Sequence, residues 1–487
     1  MGTVAHGPGL PAELLRQREA VAQLLAPEDA ARTWLVGGVV RDALLGRPLL
    51  DLDLATAADP EVVARAVARG LGGTPFPLGD EFGCWRVAVP ADGAVGDSGA
   101  DGLEQVDVCA VRGGELATDL AARDFTANAL ATPVLGEPRI VDEHGGVDDL
   151  ERGVLRVISA ASLDDDPLRM LRAARIAHVL DWDIEPATVE LIRARAHRAT
   201  EPAGERTFAE LRLLLLHPEV RRGWRGLERL GLDAVLLPEL DRCRGMAQSR
   251  FHHLDVHDHT LAVLDNCEDL LAATDFWLPL PQEPGLVANT WSEQQRLTVL
   301  LAALCHDLGK PDTRTLRDDG RVSFVGHDEV GVGIVDAIAA RWRWSTSMRQ
   351  GVGSLVATHL ALGFLLHTDR SHRERWRLLR RLEPVAAEAI VLSIGDRLAT
   401  AGADDRRKWV RAHLELGRQV WADHWREQRD GQPAPLLDGH AIAGLLGIAP
   451  GPRVGTLVRA LAEAQAVGDV QTHDDAEQLV RELGDPD

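Results

Sequence analysis

Two aspartates in the segment DLDLAT, Asp51 and Asp53, stand two residues apart. The run from Leu49 to Ala55 is predicted to form a strand, and successive side chains of a strand point to opposite faces. Both carboxylates therefore point to the same side and repel each other unless a divalent cation lies between them. Such a pair suits a two-metal phosphoryl-transfer site. A solvated strand end with two ordinary acids is the alternative for so short a motif.

The residues just before this strand favour the catalytic interpretation. Trp34 to Val36 is a short apolar run typical of a strand, Gly37 and Gly38 follow it, and Val39 to Leu45 has apolar residues at helical spacing. A strand that turns through glycines into a helix brings backbone N–H groups to a point where an anion can bind. Arg41, one turn into that helix, could bind phosphate with two hydrogen bonds.

A second arginine-rich segment lies more than a hundred residues further along the chain. The sequence from Asp164 to Pro167 is a strong helix start, with acids at the cap and proline in the first turn. The helix that follows is predicted to place Arg169, Arg172 and Arg175 near one face, since they recur at a spacing of three. Such a row suits a polyanion such as a triphosphate; a surface salt-bridge row is the alternative.

Two further segments carry polar residues with open roles. DLAARDFTANAL (119–130) is predicted to be a short helix on which Asp124 and Asn128, four apart, share a face. Asp107 lies on a predicted strand (105–111) with apolar neighbours on both sides. It is either a third carboxylate facing the aspartate pair or an ordinary acid on an edge strand.

A dispersed set of histidines and aspartates occupies the second half of the chain. His257 and His259 are two apart on a predicted helix and must face different sides, and His259 is the predicted ligand because it precedes the apolar Leu261/Leu264 repeat. A His–Asp pair that ends a hydrophobic helix is costly to bury unless a cation or hydrogen bonds compensate it. Such ligands suit Mn²⁺, Mg²⁺, Ni²⁺ or Zn²⁺. The predicted ligands are His259, His306, Asp307 and Asp396, with His327 and His359 between them in the chain.

The elements that position these groups change character along the chain. Strands and helices mix up to about residue 157, and helices dominate afterwards. We therefore expect an α+β fold with a mixed-sheet part (1–157) followed by three helical parts (158–245, 246–410 and 411–487), the second of which carries the histidine and aspartate set. The Gly/Asp/Ala-rich stretch 91–104 is predicted to be a loop.

Composition narrows the class of protein. The 487 residues carry a net charge of −22, which argues against non-specific coating of nucleic acid. Arginine clusters at 221–229 and 370–381 could hold an RNA backbone, but solvated helix faces are the preferred interpretation. The absence of a long apolar run and of a signal core predicts a cytoplasmic protein without membrane spans. Five scattered cysteines predict neither a disulfide framework nor a zinc knuckle.

The motifs together resemble those of the class II nucleotidyltransferases, the family of tRNA CCA-adding enzymes and bacterial poly(A) polymerases. GGVVRD, DLD, RDFTANAL, DDPLRMLRAAR and ERTFAEL occur in the family's order. The ordered H…HD…H…H…D set resembles that of HD-domain metal phosphohydrolases. The resemblance implies a polymerase-β-like palm or head (1–157) and a helical neck and body that binds nucleotide and RNA (158–245). It also implies an HD metal phosphohydrolase domain (246–410) and a small helical tail (411–487).

The resemblance also implies roles for individual residues. Asp51 and Asp53 would hold catalytic Mg²⁺, Gly38 and Arg41 the triphosphate, and Arg123 and Asp124 the nucleotide. Asp166 and Arg169 would pair with the edge of the incoming C or A, because a carboxylate accepts from the exocyclic amine at C4 of cytosine or C6 of adenine, where U and G carry a carbonyl oxygen. Arg172 and Arg175 would complete the pocket.

Two positions depart from the family pattern, and several functions stay open. Ala122 stands where the family usually has arginine, and Asp165 where it has glutamate. We expect an enzyme that adds C, C and A to tRNA 3′ ends from CTP and ATP, with an HD site that acts on RNA ends. The alternatives are a poly(A) polymerase of the same fold, partial addition of A or CC, an HD phosphohydrolase with an RNA-binding N-terminal part, and a non-catalytic RNA-interaction protein. The sequence does not determine the HD metal or the oligomeric state.

Overall fold

The computed structural model describes residues 10–78, 83–90, 103–248, 253–400, 407–431 and 434–484. The chain divides into two compact units, one comprising 1–202 and 226–235 and the other 203–225 and 236–487. Among the described residues, no helix is both long enough and apolar enough to cross a membrane.

The first unit contains a seven-stranded mixed sheet in the order β3-β4-β5-β2-β1-β6-β7. Only β2 and β5 run parallel; every other neighbouring pair is antiparallel. Its strands are β1 (Thr33–Val36), β2 (Asp51–Thr56), β3 (Thr74–Pro77), β4 (Cys84–Ala88), β5 (Gln105–Ala110), β6 (Leu130–Pro133) and β7 (Val141–Asp142). A separate parallel pair joins β8 (Val154–Leu155) to β9 (Asp183–Ile184).

Nine helices accompany these strands before residue 202 in the described part of the chain. They are α1 (Ala12–Leu24), α2 (Pro27–Ala30), α3 (Gly38–Leu44), α4 (Pro60–Leu71), α5 (Leu116–Ala121), α6 (Gly146–Arg152), α7 (Ala160–Asp165), α8 (Leu168–Leu180) and α9 (Pro186–Arg193). Three 3₁₀ turns lie at Arg112–Gly114, Thr126–Asn128 and Ala196–Thr200.

Strand alternation decides which side chains of β2 are buried in the core. Leu52 and Leu54 lie in the large apolar core with residues of α1, α3 and α4, such as Leu14, Val39 and Val67. Asp51, Asp53 and Ala55 alternate with them and point to the other face of the sheet, as a period of two requires. The apolar residues of β2 therefore hold the strand in place and leave its two aspartates outside the helix-covered core.

The second unit is almost entirely helical. Two short strands, β10 (Thr315–Leu316) and β11 (Val322–Ser323), form a hairpin there. Helices α11 (Val220–Leu230) and α12 (Asp233–Leu236) cross the boundaries between the units. The other helices are α10 (Gly204–Leu216), α13 (Pro238–Asp241), α14 (Val256–Ala272), α15 (Thr274–Trp277), α16 (Glu293–Cys305), α17 (Lys310–Thr313), α18 (His327–Arg341), α19 (Thr346–Thr358), α20 (Ala361–Leu365), α21 (His372–Leu382), α22 (Ala386–Ala399), α23 (Arg407–Asp430), α24 (Gly439–Leu446), α25 (Pro452–Ala466) and α26 (His473–Gly484).

The α+β fold class is confirmed, and local expectations need three corrections. The predicted helix over 10–32 is two helices, because Pro27 starts a new one. The predicted helix over 119–130 ends at Ala121, so Arg123 and Asp124 lie in the turn between α5 and the 3₁₀ turn. Most of the predicted loop over 91–104 lies outside the described residues.

The third correction concerns the cysteines, which are not all unpaired. Cys84 on β4 and Cys109 on β5 form a disulfide, and they are direct partners in the antiparallel register of the two strands. Spacing along the chain did not indicate this pairing, because the register of β4 against β5 creates it. The remaining three cysteines are buried thiols.

The arginine clusters are engaged by acids of the same chain. In the first, Arg225 lies 2.8 Å from Asp258 and Arg222 lies 3.1 Å from Glu219. In the second, Arg377 contacts Glu463 at 2.7 Å and Arg375 contacts Asp423 at 2.6 Å. The preferred interpretation, solvated helix faces, stays a prediction beside RNA binding.

Candidate functional sites

Three carboxylates meet on the outer face of β2 and β5. The parallel register places Asp53 beside Asp107, so both side chains point to the same side of the sheet, as Asp51 does. Asp107 therefore faces the aspartate pair. This was the first of the two interpretations of Asp107; the other was an ordinary acid on an edge strand. It is also held by two hydrogen bonds from the Arg86 guanidinium, at 2.7 and 2.8 Å.

This arrangement concentrates negative charge. Burial, with added repulsion from Asp107 and Asp51, raises the pKa of Asp53 to about 6, although Arg123 opposes the shift. Burial and the charges of Glu104 and Asp107 also raise the pKa of Asp51. Carboxylates that are destabilised in their charged form are what a divalent cation would relieve. The donor set, all carboxylate oxygen, fits Mg²⁺.

The glycine turn between β1 and α3 closes one side of this carboxylate group. Gly37 has φ of +74°, in the region that favours glycine, and a Cβ there would lie 2.6 Å from Arg123 Nη1 and 3.6 Å from Asp53 Oδ2. A side chain at this position would therefore collide with Arg123 and crowd Asp53. Glycine at 37 is required for both the turn and the approach of the site residues.

A hydrogen-bonded network connects the arginines near the carboxylates. Arg172 donates twice to Asp124 Oδ2, at 3.0 and 2.9 Å. Asn128 donates to Asp124 Oδ1 at 3.0 Å and accepts from Arg41 Nη1 at 2.6 Å. Burial would raise the pKa of Asp124, but Arg172 and Asn128 outweigh it and hold that pKa below its usual value. Asp124 therefore stays ionised and fixes Arg172, while Asn128 ties Arg41 to the same network.

A cavity of about 660 Å³ opens beside this network. Eight of the ten predicted nucleotidyltransferase residues line it: Gly38, Arg41, Asp51, Asp53, Arg123, Asp124, Arg172 and Arg175. Its lining combines carboxylates with arginines. Such a cavity can take a polyanion together with a divalent cation.

The two remaining predicted residues, Asp166 and Arg169, do not line the cavity in this structure. Asp166 Oδ1 accepts from the Leu168 N–H at 3.2 Å at the start of α8. Arg169 is buried, with Nη1 donating to Ser162 Oγ at 2.7 Å and Nη2 donating to the Ala122 carbonyl at 2.9 Å. It also contacts the carbonyls of Arg123 and Ser162. Here Arg169 holds the turn before Asp124.

Sequence reasoning gave no role to two residues that belong to this site. Asn128 was expected to share a face with Asp124, and that spacing was the available signal, but its bond to Arg41 depends on the packing of α3 against the 3₁₀ turn. Arg86 carried no signal, because its pairing with Asp107 follows from the β4–β5 register.

A second cluster lies in the helical unit and contains the four predicted HD ligands. Asp307 Oδ2 lies 3.1 Å from His306 Nε2 and 3.7 Å from His259 Nε2, and His259 Nε2 lies 3.0 Å from Asp396 Oδ1. His257 contacts Asp258 instead, so the structure brings His259 and not His257 to the cluster. Lys310 Nζ also contacts Asp307 Oδ2, at 2.6 Å.

Both carboxylates of the HD cluster stay ionised despite burial. Burial would raise the pKa of Asp307, but His306 and Lys310 hold it well below the usual range. Burial would also raise the pKa of Asp396, but His259 and His306 hold this pKa below its usual value. Imidazole nitrogens and ionised carboxylates together fit a divalent transition metal. His327 and His359 complete the wall of an adjoining cavity of about 630 Å³.

A carboxylate-bearing mixed sheet with an arginine-lined cavity, followed by helices and a buried His/Asp cluster, defines the class of protein: a nucleotidyltransferase joined to an HD domain. Comparison with family descriptions agrees along the chain. Residues 33–156 match the Poly A polymerase head domain, residues 181–244 match the probable RNA and SrmB-binding site of polymerase A, and residues 256–401 match the HD domain.

Two relatives with similar sequences are named as tRNA nucleotidyltransferases. The chain is 36% identical to the A-adding tRNA nucleotidyltransferase of Deinococcus radiodurans over 92% of this chain and 94% of that protein. It is 36% identical to the CC-adding tRNA nucleotidyltransferase of Thermus thermophilus, with 92% of each chain covered. The chain therefore belongs to the class II nucleotidyltransferase family, with a C-terminal HD domain.

Solved structures agree on the fold. A CCA-adding enzyme in complex with ATP matches with a TM-score of 0.63 at 18% identity, covering 96% of this chain and 92% of the other. The Thermotoga maritima CCA-adding enzyme complexed with tRNA matches with a TM-score of 0.60 at 18% identity, covering 98% and 99%.

Proposed function

We propose that the N-terminal site adds nucleotides from CTP and ATP to the 3′ end of tRNA. The 3′ oxygen of the RNA forms a bond to the α-phosphorus of the nucleotide, and pyrophosphate leaves. The observation that carries the proposal is the group of carboxylates beside an arginine-lined cavity, because phosphoryl transfer needs both a cation site and a triphosphate site.

Asp51 and Asp53 are the residues that would hold Mg²⁺. When bound there, the ions supply positive charge to the attacking oxygen and to the triphosphate. Arg41, Arg172 and Arg175 line the cavity where a triphosphate would lie, and Asp124 orients Arg172. Asp166 and Arg169 keep their proposed role as base-reading residues, which requires Arg169 to leave the carbonyl groups that it now contacts.

The extent of addition is the second part of the proposal. Addition of C, C and A is the leading form, and partial addition is a specific alternative, because relatives of equal identity are named A-adding and CC-adding enzymes. A poly(A) polymerase of the same fold is a further alternative.

The test uses tRNA that lacks its 3′ CCA and tRNA that already ends in CC. Each is incubated with CTP, ATP or both, and the ends are sequenced. Ordered C, C, A addition that stops supports the leading form. A added only to the CC end, or CC added without A, supports partial addition, and long A tails with ATP alone overturn the tRNA-specific proposal.

We also propose that the HD cluster hydrolyses phosphate esters at RNA ends. Asp307, Asp396, His259 and His306 would hold a divalent metal ion, which supplies positive charge to a phosphate. The lining of the adjoining cavity includes the apolar side chains of Phe324, Val325 and Phe364. Apolar side chains beside a cluster of proposed metal ligands suit a substrate that carries a flat base as well as a phosphate, such as a nucleotide with a 2′,3′-cyclic phosphate on its ribose. In this reaction water adds to phosphorus and one P–O bond to the ribose breaks, so the cyclic phosphate opens to a phosphomonoester and a free hydroxyl. Opening of the cyclic phosphate at an RNA end, lost in His306→Ala, tests this proposal.

A further inference from the structure

We infer that the Cys84–Cys109 disulfide is a reversible redox switch, which sets how strongly the three carboxylates of the N-terminal site attract Mg²⁺. This inference rests on the proposed nucleotide addition and adds regulation to that same site. It concerns the two cysteines and Arg86, to which the proposed function gives no role.

The disulfide lies on the same face of the sheet as the carboxylates. Cys109 follows Asp107 by two residues on β5, and strand side chains two residues apart point to the same side. The parallel register places Cys109 beside Ala55, which follows Asp53 by two residues on β2. The disulfide is therefore one side-chain step away from the carboxylates, on a strand that carries one of them.

The next pair on this face of β4 and β5 is Arg86 with Asp107. The antiparallel register joins Cys84 to Cys109 and Arg86 to Asp107. The Cα atoms of the two cysteines are 4.1 Å apart, the close spacing of a pair that exchanges no backbone hydrogen bonds. Pairs of this kind recur every second residue, so Arg86 and Asp107 are also joined by their side chains. The disulfide therefore fixes the spacing of the strands beside this ion pair.

The Arg86 guanidinium competes with a metal ion for the carboxylates. It donates to both oxygens of Asp107, at 2.7 and 2.8 Å. The hydrogen bonds to Asp107, together with the negative charges of Asp107, Asp51 and Asp53, raise the pKa of Arg86 above its usual value. The guanidinium therefore neutralises part of the negative charge that would attract Mg²⁺.

Accessibility separates the paired cysteines from the other three. Cys84 and Cys109 are both partly exposed. Cys243, Cys267 and Cys305 are buried, and burial raises the pKa of each of these thiols. Because exchange needs access to a sulfur and a thiolate, a dissolved thiol should react at the disulfide and not at the buried cysteines.

A low-molecular-weight thiol supplies the two electrons for reduction. Its thiolate attacks one sulfur of the disulfide, breaks the S–S bond and leaves a mixed disulfide and one protein thiolate. A second molecule of the thiol attacks the mixed disulfide. The products are two protein thiols, which take up the two protons of the reagent, and the disulfide of the reagent. The reverse reaction closes the switch again.

Reduction changes the spacing of β4 and β5. Two bonded sulfur atoms lie about 2 Å apart, whereas two atoms in non-bonded contact need about 3.5–4 Å. Separation of the sulfurs loosens the two hydrogen bonds that the neighbouring Arg86 makes to Asp107. The Arg86 side chain is 33% exposed, so it can turn towards solvent. Without this competing charge, the reduced protein should bind Mg²⁺ more tightly than the disulfide form.

The test equilibrates the full chain with glutathione and glutathione disulfide at a series of ratios. Alkylation of unfolded samples and mass spectrometry should count five thiols in the reduced protein and three in the oxidised protein. The Mg²⁺ dependence of nucleotide addition and of the melting temperature is then measured for both forms. We expect half-saturation at an Mg²⁺ concentration on the order of tenfold lower for the reduced form. The HD cluster lies in the other compact unit and is unchanged, so the difference reports the N-terminal site.

Three variants serve as comparisons. Cys84→Ser/Cys109→Ser should behave as the reduced protein at every glutathione ratio. Cys243→Ser, at a buried thiol, should respond as the parent protein does. Arg86→Gln removes the competing charge, so its disulfide should still form and open while both forms show the same Mg²⁺ dependence.

Two results overturn the inference. One is a disulfide that persists at every glutathione ratio in the folded parent protein, and the other is equal Mg²⁺ dependence of its two forms. A redox effect that persists in Arg86→Gln also overturns it, and this comparison decides the matter if the double serine variant does not fold. If neither form adds nucleotides, the proposed function fails, whereas the thiol count and the melting temperatures in Mg²⁺ still decide this inference.

Discussion

The ionised side chain of Asp53, a residue of the proposed active site, lowers the stability of the folded protein. Its folded pKa is about 6, raised by burial and by its carboxylate neighbours, against an ordinary value of 3.8. The folded state therefore binds more protons than the unfolded state between these values. In the absence of metal, the Asp53 contribution to stability rises as pH falls from 7 through 6 toward 4.

Asp53→Asn should therefore stabilise the metal-free protein at pH 7–8, by about 1–3 kcal/mol, because a shift of about two pKa units is worth at most that much. The same variant should lose nucleotide addition and Mg²⁺ stabilisation. Thermal unfolding with EDTA and with Mg²⁺, across pH 5–8, measures both effects. Asp148→Asn, at a side chain that is 72% exposed, is the matched control and should change neither. An unchanged or lower melting temperature for Asp53→Asn in EDTA would contradict the assignment.

Asn128 is the second residue whose contacts make a measurable prediction. It donates to Asp124 and accepts from Arg41, so it links the two sides of the network. Asn128→Asp keeps the acceptor for Arg41 but replaces the amide donor with a charge that repels Asp124. We expect the KM for CTP and ATP to rise about tenfold, since losing a hydrogen bond to a charged group costs about 1.5–3 kcal/mol. The kcat should change less.

The exposed Asn289→Asp provides the same chemical change without the network and should leave both constants unaltered. If Asn128→Asp changes only the melting temperature and neither kinetic constant, the residue is structural.

At the scale of elements, α8 carries arginines with two different environments. Arg172 and Arg175 line the cavity, whereas Arg169, one turn earlier, donates to the Ser162 hydroxyl and to carbonyl groups of the turn before Asp124. Arg169 could therefore support the turn before Asp124, or it could also read the incoming base. The Arg169→Lys variant distinguishes these two roles. A lysine cannot reproduce the planar fork of donors.

If Arg169 also reads the incoming base, Arg169→Lys should reduce the preference for CTP and ATP over UTP and GTP by about tenfold or more. It should also lower stability by roughly 1–3 kcal/mol through its lost contacts. Ser162→Ala removes the hydroxyl that accepts from Arg169 and donates to the Arg123 carbonyl, and we expect a stability loss of about 1 kcal/mol with selectivity retained. Loss of stability without loss of selectivity in Arg169→Lys would leave the residue as a support for the turn. Competition assays with mixed nucleotides, followed by sequencing of the RNA ends, provide the measurement.

The apolar lining of the HD cavity leads to a second prediction at the scale of elements. The Phe364 side chain on α20 is 61% exposed and lines the cavity beside the HD cluster, so it is placed to contact a substrate bound there. Phe364→Ser should raise the KM for RNA with a 2′,3′-cyclic end about tenfold, since base–aromatic stacking is worth about 1–3 kcal/mol. A phosphate ester without a ring should not be affected. Phe276→Ser, at a phenylalanine that is 75% exposed and outside the cavity lining, is the matched control. Equal losses for both substrates would mean that Phe364 supports the metal site rather than a base.

Across the whole molecule, the sequence predicted what repeats locally and missed what depends on register and packing. Alternation along β2 was enough to place Asp51 and Asp53 on one face, and helical spacing was enough to align Arg172 with Arg175. The parallel pairing of β2 with β5, which brings Asp107 beside Asp53, could not be predicted from the sequence of either strand alone. The same holds for the Cys84–Cys109 disulfide and for the carbonyl groups that surround Arg169, because residues far apart in sequence create both.

The last prediction concerns the independence of the two sites. The carboxylate and arginine cavity is built from residues of the first compact unit, and the HD cluster from residues of the second. Neither set contributes a side chain to the other, so removing one set of ligands should leave the other chemistry intact. We expect Asp51→Ala to abolish nucleotide addition while hydrolysis of the 2′,3′-cyclic phosphate continues at its original rate. His306→Ala should do the reverse, because it removes an Nε2 ligand that lies 3.1 Å from Asp307 and alters nothing that lines the nucleotide cavity.

Parallel assays of both activities on both variants, with Mg²⁺ and Mn²⁺ supplied separately, check this. If either variant loses both activities while its melting temperature is unchanged, the two metal sites are coupled, and the assignment of one chemistry to each unit is wrong.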